Sequence, residues 1–220
     1  MGCDDTYIVI PAKNEGGKIA GIINKTRQFS KKIIVVDDGS EDNTSMIAEK
    51  EGVIVLKHII NLGKGAALKT GCDYALKKNA KIIVTMDADG QHDPKDIIKF
   101  KEKIKHYHIV IGYRKLNKNM PFILKYGNYF INTVTRLLYN LNLHDTQCGF
   151  RAFTAAAYKK IRWKATDYSM ESEMLANAGK YHLRYAQVPI ETIYTDKYKG
   201  TTVLDGMKIV FNMFLWKIKR

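Results

Sequence analysis

The sequence predicts an α/β domain with a mostly parallel central sheet and an amphipathic helix at its C-terminal end. First, short runs rich in Ile and Val alternate with segments of helical periodicity, which is typical of a sheet covered by helices on both faces. Second, acidic residues directly follow several of these runs, where parallel strands carry ligand-binding loops. Third, 220 residues with 45% hydrophobic and 26% charged side chains suffice for one domain with a full core.

The first half of the chain supplies four predicted strands and three predicted helices. We place the strands in short apolar runs at residues 7–10, 32–36, 53–56 and 81–86. Apolar side chains recur at a helical period in the segments between them, which predicts helices at residues 19–29, 42–51 and 65–78. Crossover helices of this kind make successive strands parallel.

The second half predicts a helix at residues 97–104, a strand at residues 108–112 and two longer amphipathic segments. Residues 120–143 form a helix whose wide apolar face we expect either in the core or against lipid. Residues 205–220 combine basic, aromatic and aliphatic side chains, which fits either core packing or a membrane interface. We therefore divide the chain into a main domain of residues 1–195 and a basic amphipathic segment of residues 196–220.

Composition narrows the cellular setting and the class of partner. The formal net charge of +14 favours anionic partners such as lipid head groups, nucleic acid or phosphorylated substrates. Cys3, Cys72 and Cys148 lack zinc-site spacing and disulfide density, so we expect reduced thiols in a cytoplasmic protein. Asp4 and Asp5 stand where a secretory signal would be basic, and no window holds about 18 uninterrupted apolar residues, so we expect neither export nor a membrane span.

Acidic residues at the predicted strand ends are the first sign of function. Glu15, Asp37, Asp38, Asp87 and Asp89 follow three different strands, so we expect them to converge on one crevice at the carboxyl edge of the sheet. Such a group of carboxylates needs a cation or a hydrogen-bonding ligand to offset its repulsion. The alternative is that some of these side chains only cap the helices that follow.

Five motifs together resemble the family 2 inverting glycosyltransferases with the GT-A fold. They are VIPAKNE (9–15), VVDDGS (35–40), NLGKGAALKTG (61–71), MDADGQHDP (86–94) and DTQCGFRAF (145–153). Within that family the chain is most similar to the polyprenyl-phosphate or dolichyl-phosphate sugar synthases. The resemblance implies a Rossmann-like three-layer sandwich over residues 1–195. It also implies transfer of a hexose or N-acetylhexosamine from a UDP- or GDP-sugar to polyprenyl phosphate.

The resemblance assigns the donor side of the site. A divalent ion would stabilise the departing nucleoside diphosphate, and carboxylate oxygens suit Mg²⁺ or Mn²⁺. The expected metal ligands are Asp87, Asp89 and Gln91. The expected nucleotide-binding residues are Pro11, Asn14, Glu15, Asp37, Asp38, Lys64 and Asp87. The glycines around Lys64 either present backbone amides to a phosphate or form a helix-capping turn.

The acceptor side needs cations more than a base, because a phosphate oxygen is already an anionic nucleophile. The expected acceptor-phosphate residues are Arg114, Lys125, Arg136 and Arg151, and the expected catalytic residues are Asp89, Arg114, Asp145 and Gln147. Glu171 is either a first-turn helix acid or a residue on the sugar or acceptor side.

The sequence is also compared with two other functions, transfer to a hydroxyl acceptor and nucleic-acid binding. The same donor chemistry could serve a saccharide or protein hydroxyl in place of a lipid phosphate, although that reaction needs a general base. Nucleic acid is excluded as a partner, because clustered acids would repel its phosphates. The expected partners are the nucleotide sugar, the lipid phosphate and the cytoplasmic face of a membrane, where the protein would be peripheral. A membrane-anchoring protein or a second copy of the chain could assist this attachment.

Overall fold

Seven strands form one sheet in the part of the chain that the computed structural model describes, residues 5–114, 122–191 and 203–218. The strands are β1 (Thr6–Ala12), β2 (Ile33–Asp38), β3 (Ile54–His58), β4 (Ile82–Thr85), β5 (Ile109–Arg114), β6 (Arg151–Thr154) and β7 (Tyr185–Ile190). The helices are α1 (Gly16–Thr26), α2 (Thr44–Lys50), α3 (Lys64–Lys77), α4 (Ile97–Lys103), α5 (Phe122–Tyr139), α6 (Ala155–Ile161), α7 (Met170–Lys180) and α8 (Val203–Ile218). The predicted elements of the first half are confirmed within a few residues.

The four N-terminal strands form the parallel half of the sheet, in the order β3-β2-β1-β4. Ile8 of β1 lies opposite Ile33 of β2 on one side and opposite Val84 of β4 on the other. These β-branched side chains are buried on both faces of the sheet, as expected for central parallel strands. The carboxyl ends of β1, β2 and β4 therefore reach the same edge.

The C-terminal half of the sheet contains an antiparallel strand that the sequence does not predict. β6 lies between β4 and β5 and runs antiparallel to both, with Ala152 opposite Val84 and Val110. β7 then adds parallel to β5 as an edge strand, a position that tolerates Pro189. β6 is only four residues long and begins with a charged residue, so hydrophobic patterning does not reveal it.

Two buried clusters lie on opposite faces of the sheet and complete three layers. One cluster joins the sheet to α1, α2 and α4 through residues such as Ile23, Ala48 and Phe100. The other joins it to α3 and α5 to α8, with Trp163 and Met174 among its fully buried side chains. The predicted α/β sandwich with a mostly parallel sheet is confirmed.

The terminal helix packs on the same core as the main domain. Ile209 and Met213 of α8 are buried, and the Tyr139 hydroxyl donates a 2.6 Å hydrogen bond to the Met213 carbonyl. α5 ends earlier than predicted, because Asn140 follows it in a left-handed conformation with φ of 57°. The predicted domain boundary between residues 195 and 196 lies outside the described residues.

Both helices also leave large apolar side chains exposed. On α5 these are Tyr129, Phe130 and Leu137, and on α8 they are Met207, Phe211, Phe214 and Ile218. The core-packing alternative therefore holds for one face of each helix, and contact of the exposed apolar face with lipid stays a prediction. No helix among the described residues has the length and apolarity that crossing a membrane requires.

Candidate active site

Three charged side chains from distant parts of the chain meet at the carboxyl edge of the sheet. Lys64 begins α3, Asp87 follows β4 and Glu171 lies in the first turn of α7. The Lys64 ammonium lies 2.8 Å from Asp87 Oδ1 and 3.2 Å from Glu171 Oε1. We call Lys64, Asp87 and Glu171 the ion triad. Glu171 Oε2 is buried and has no hydrogen-bond partner among the described residues.

Lys64 and Asp87 of the ion triad stay charged although they are largely buried. Burial by itself lowers the pKa of Lys64, but the carboxylates of Asp87 and Glu171 outweigh burial and raise it above its usual value. Burial likewise opposes ionisation of Asp87, but the Lys64 ammonium holds the pKa of that carboxyl below its usual range. Each charge is therefore stabilised by its neighbours rather than by water.

Gly149 provides the space in which the ion triad sits. A Cβ atom at this position would lie 2.6 Å from Asp87 Oδ2 and 2.9 Å from Lys64 Nζ. The carbonyl of Gly149 also accepts a 2.8 Å hydrogen bond from the Thr85 hydroxyl, which fixes the loop against β4. Only glycine fits this position without moving the charged groups.

A second ion pair lies at the end of β5. Arg114 donates from Nε to Asp145 Oδ2 at 2.7 Å and from Nη2 to Asp145 Oδ1 at 3.1 Å. Asp145 is almost fully buried, and Arg114 outweighs the effect of burial and lowers the pKa of the Asp145 carboxyl. Asp145 also accepts a hydrogen bond from the Gln147 backbone N–H, and the Gln147 side chain donates to Ser172 on α7 at 3.1 Å. Asp145 thus orients Arg114.

Arg151 has a structural position, and the prediction that it binds the acceptor phosphate is wrong. The residue is 1% exposed. Its guanidinium donates to the carbonyl oxygens of Thr146 at 2.6 Å, Cys148 at 2.8 Å and Glu171 at 2.9 Å. These bonds use the donors inside the protein and tie the loop before β6 to α7.

The predicted metal ligands follow β4 in one loop. Asp89 and Gln91 are half-buried, and Asp89 Oδ1 accepts a 2.9 Å hydrogen bond from the Gln91 backbone N–H. His92 packs on Phe150 at 5.2 Å between ring centroids, and its Nδ1 accepts a long hydrogen bond of 3.4 Å from the Asp87 backbone N–H. Burial lowers the pKa of His92, which favours the neutral ring that can accept this bond.

The donor set fits a divalent ion that takes most of its ligands from a substrate. No cluster of three or more His, Cys, Asp or Glu side chains suited to a metal occurs within the described residues. Two carboxylates and one amide oxygen cannot enclose an ion, but Mg²⁺ commonly binds through one or two carboxylates plus substrate phosphates. Asp87 differs from Asp89 in that one of its oxygens already faces Lys64.

The loops after β1 and β2 form one connected surface beside the ion triad. Asn14, at φ of 54°, donates from its backbone N–H to the Ser40 hydroxyl at 2.9 Å and accepts from the Glu41 backbone N–H at 2.9 Å. Asp37 is buried and accepts a 2.8 Å hydrogen bond from the Ser40 backbone N–H. Pro11 is buried within β1, and the Glu15 backbone N–H donates to the Thr44 hydroxyl.

Three backbone amides in the turn that opens α3 are already bonded within the protein. The backbone N–H groups of Leu62 and Gly63 donate to Asp38 at 2.9 and 2.8 Å, and that of Ala66 donates to the Thr166 carbonyl at 3.2 Å. Asp38 Oδ1 also lies 2.7 Å from His58 Nδ1. Lys64 can therefore offer a ligand its charge, whereas these backbone amides are already bonded.

The sequence profile described as Glycosyl transferase family 2 matches residues 7–162, which is most of the chain. The chain belongs to glycosyl transferase family 2. Two relatives match this glycosyltransferase over nearly its whole length. The UDP-N-acetylglucosamine--dolichyl-phosphate N-acetylglucosaminyltransferase of Methanococcus voltae is 38% identical and covers 96% of each chain. The polyprenol monophosphomannose synthase of Mycolicibacterium smegmatis is 27% identical and covers 97% of this chain and 87% of its own.

A solved structure confirms the GT-A fold of this family 2 glycosyltransferase. Glucosyl-3-phosphoglycerate synthase from Mycobacterium tuberculosis, in complex with Mn²⁺, UDP-glucose and phosphoglyceric acid, superposes with a TM-score of 0.78. The match covers 97% of this chain and 80% of that chain at 17% sequence identity. Such low identity supports the fold alone.

The carboxyl edge of the sheet brings most of the predicted residues together with some that sequence analysis does not select. Arg136 is exposed on α5, and no polar contact among the described residues joins it to the ion triad. The side chain of Lys125 lies outside the described residues. His58 and His92 escape sequence analysis, because a single histidine carries no spacing signal. The sequence admits two roles for Glu171, and its contact with Lys64 brings it into the ion triad.

Proposed function

We propose that this glycosyltransferase moves a hexose or N-acetylhexosamine from a UDP- or GDP-sugar to polyprenyl phosphate. The observation that carries the proposal is the concentration of positioned cations, Lys64 and Arg114, beside the acidic loop after β4. Cations so placed suit a reaction in which one phosphate group attacks and another leaves. The names of the two relatives support the same class of acceptor.

The donor would bind across the loops after β1, β2 and β4. Asn14 and Glu15 offer oxygen acceptors to ribose hydroxyls and base N–H groups. The buried carboxylates of Asp37 and Asp38, which are bonded to Ser40 and to Leu62 and Gly63, would position the loops around the nucleotide. Asp89 and Gln91, with Asp87, would hold Mg²⁺ or Mn²⁺, and the ion supplies charge neutralisation to the diphosphate leaving group. Lys64 adds a positive charge on the same side.

The acceptor would approach from the side of Arg114. A polyprenyl phosphate oxygen attacks the anomeric carbon as the bond from that carbon to the nucleoside diphosphate breaks, so the configuration inverts. The attacking oxygen carries no proton, so positioning by Arg114 suffices and a strong base is unnecessary. Asp145 fixes the guanidinium through two hydrogen bonds, so the cation is preorganised before the acceptor arrives.

A membrane surface is the proposed source of the acceptor. α5 and α8 expose large apolar side chains, and Lys208 and Lys217 lie on the exposed surface of α8. Apolar side chains together with lysines are typical of a helix that lies in the interface of an anionic bilayer. The net charge of +14 also favours binding to an anionic bilayer.

A hydroxyl acceptor is the second candidate, and one observation favours it. Glu171 Oε2 is buried and lacks a hydrogen-bond partner among the described residues, so it could accept the proton of a saccharide or protein hydroxyl. The Lys64 ammonium opposes this role, because it lies 3.2 Å from Glu171 Oε1 and already occupies this carboxylate as an ion-pair partner.

The deciding experiment is a transfer assay with purified protein, Mg²⁺ or Mn²⁺, a short polyprenyl phosphate and radiolabelled UDP- and GDP-sugars. Radioactivity that enters the organic phase and disappears with EDTA is the expected result, and it also identifies the donor. Asp89→Ala should abolish transfer, whereas Glu102→Ala, which removes an exposed acid on α4, should not. Metal-dependent hydrolysis of a donor without any lipid product would instead favour the hydroxyl acceptor.

A further inference from the structure

We propose that Lys64 is an internal counterion that competes with the divalent ion for Asp87, so that the ion binds tightly only together with a nucleoside diphosphate. The proposal rests on the proposed donor chemistry and adds that metal and nucleotide bind together. The site would bind a free metal ion weakly and the metal–nucleotide complex tightly.

The first step of the argument is the geometry of the ion triad. The Lys64 ammonium lies 2.8 Å from Asp87 Oδ1, within the range of a charge-assisted hydrogen bond. The Lys64 side chain is 19% exposed and that of Glu171 3%, so water does little to weaken these contacts. Asp87 Oδ2 points towards the space left by Gly149, where an added Cβ would lie 2.6 Å from it. Asp87 Oδ1 is the oxygen paired with Lys64, so a metal ion at Oδ1 must displace the ammonium.

The second step is the balance of charge around the triad. Among the described groups in electrostatic contact there, the carboxylates of Asp87, Asp145 and Glu171 face three cations. These cations are Lys64, Arg114 and Arg151. The charges already compensate one another, which leaves Asp89 as the carboxylate that can receive a cation. With Asp89 counted, a free divalent ion would leave one uncompensated positive charge in a largely buried site, and this is unfavourable.

The third step is the effect of the nucleotide. A diphosphate brings negative charge and several acceptor oxygens, so the Lys64 ammonium can exchange Asp87 for a phosphate without losing its pairing. Glu171 keeps the ammonium near the site during this exchange, because it holds the same nitrogen at 3.2 Å. Tyr168, whose ring centroid lies 5.6 Å from the ammonium, offers a further contact for the cation. Asp87 is then available to the metal.

The test measures Mn²⁺ binding by electron paramagnetic resonance, with Mn²⁺ alone and with Mn²⁺ plus UDP or GDP. Lys64→Met should raise the affinity for Mn²⁺ alone by about tenfold, because the competing charge is gone. The same variant should lower the affinity for the Mn²⁺–nucleotide complex by about tenfold, because the diphosphate loses its cation. Lys77→Met, on the exposed far end of α3, is the matched control and should change neither value.

The two expected changes in affinity have opposite signs, which neither a loss of folding nor a wrong donor assignment would produce. Lys64→Gln, which keeps a hydrogen-bond donor without the charge, should behave like Lys64→Met, and circular dichroism checks that both variants fold. Unchanged or weaker binding of Mn²⁺ alone in both variants would overturn the competition. If the unmodified protein binds Mn²⁺ no better with UDP or GDP than without, the proposed donor chemistry itself fails.

Discussion

Gly149 shapes the site at the scale of a single residue, because its missing side chain leaves the space that Asp87 and Lys64 occupy. Gly149→Ala should lower the rate of transfer by about tenfold or more, since even a small displacement of positioned groups is costly for catalysis. The obstructing atoms belong to side chains, so the melting temperature should change little. Rate measurements and thermal unfolding together check this expectation.

The control for this substitution is another glycine with space around it. A Cβ at Gly21 on α1 would meet no atom within 4 Å. Gly21→Ala should therefore keep the activity and raise the free energy of unfolding by up to about 1 kcal/mol, the usual helix-propensity gain. Equal activity of the Gly149→Ala and Gly21→Ala variants would contradict the role given to Gly149.

Asp145 forms an ion pair with Arg114 and makes the free energy of unfolding depend on pH at low pH. Its folded pKa lies below its unfolded value, so its stabilisation is complete above the unfolded pKa of about 3.8 and is lost as pH falls through the folded value. Asp145→Asn breaks the buried pair and should lower the free energy of unfolding at pH 7 by about 3–5 kcal/mol. The gap between the two proteins should narrow as pH falls below about 3.8 towards the folded pKa of Asp145, as followed by urea unfolding. A gap independent of pH would show that the carboxylate charge is not the cause.

The sequence predicts some of these residues and misses others for a physical reason. Asp87 and Asp89 lie two residues apart directly after an evident strand, so their position at this edge follows from the parallel sheet. Glu171 and Lys64 meet only because α7 packs beside the start of α3, and no local pattern encodes that contact. Arg151 stands in a motif, so the sequence predicts that its guanidinium binds a phosphate. Its bonds to backbone carbonyls depend on the fold and cannot be predicted from the sequence.

At the scale of elements, the exposed apolar face of α8 should mediate membrane contact. Phe211 is 65% exposed, and burying a side chain of this kind in lipid contributes about 2 kcal/mol. Phe211→Asp should therefore weaken binding to anionic vesicles by at least about tenfold in a flotation assay. The matched control is Ile98→Asp, at a residue of α4 that is 50% exposed on the opposite layer of the sandwich.

Vesicle binding that survives Phe211→Asp unchanged would remove α8 from the proposed interface. Equal losses in the Phe211→Asp and Ile98→Asp variants would point to an effect of the added charge alone. High salt should weaken the binding of the unmodified protein, because it screens the attraction between the net charge of +14 and anionic lipid.

Element predictions succeed where a hydrophobic pattern is long and fail where pairing decides the structure. α5 and α8 follow from their amphipathic sequences, and β1 and β2 from their Ile and Val runs. β6 forms a strand because β4 and β5 lie on its two sides, so its existence depends on tertiary contacts. The order of α/β elements is thus readable from sequence, whereas the antiparallel insertion is not.

At the scale of the whole molecule, the buried thiols should report global unfolding. Burial, with a smaller contribution from Asp145, raises the pKa of Cys148 to about 12, and burial also raises that of Cys72. Both thiols therefore stay protonated and inaccessible at pH 8. In a Cys3→Ser variant, a thiol reagent such as Ellman's should react very slowly with the native protein and with two thiols in urea. Fast reaction of the native variant would indicate local opening near β6 or α3.

The insertion of β6 between β4 and β5 also constrains folding during synthesis. β5 leaves the ribosome before β6, yet it can join the sheet only through β6 or β7. At roughly 5–20 residues per second, the delay of about 40 residues between β5 and β6 lasts about 2 to 8 seconds. During that interval the apolar strand Ile109–Arg114 has no partner in the sheet, which makes it a binding site for chaperones on the nascent chain.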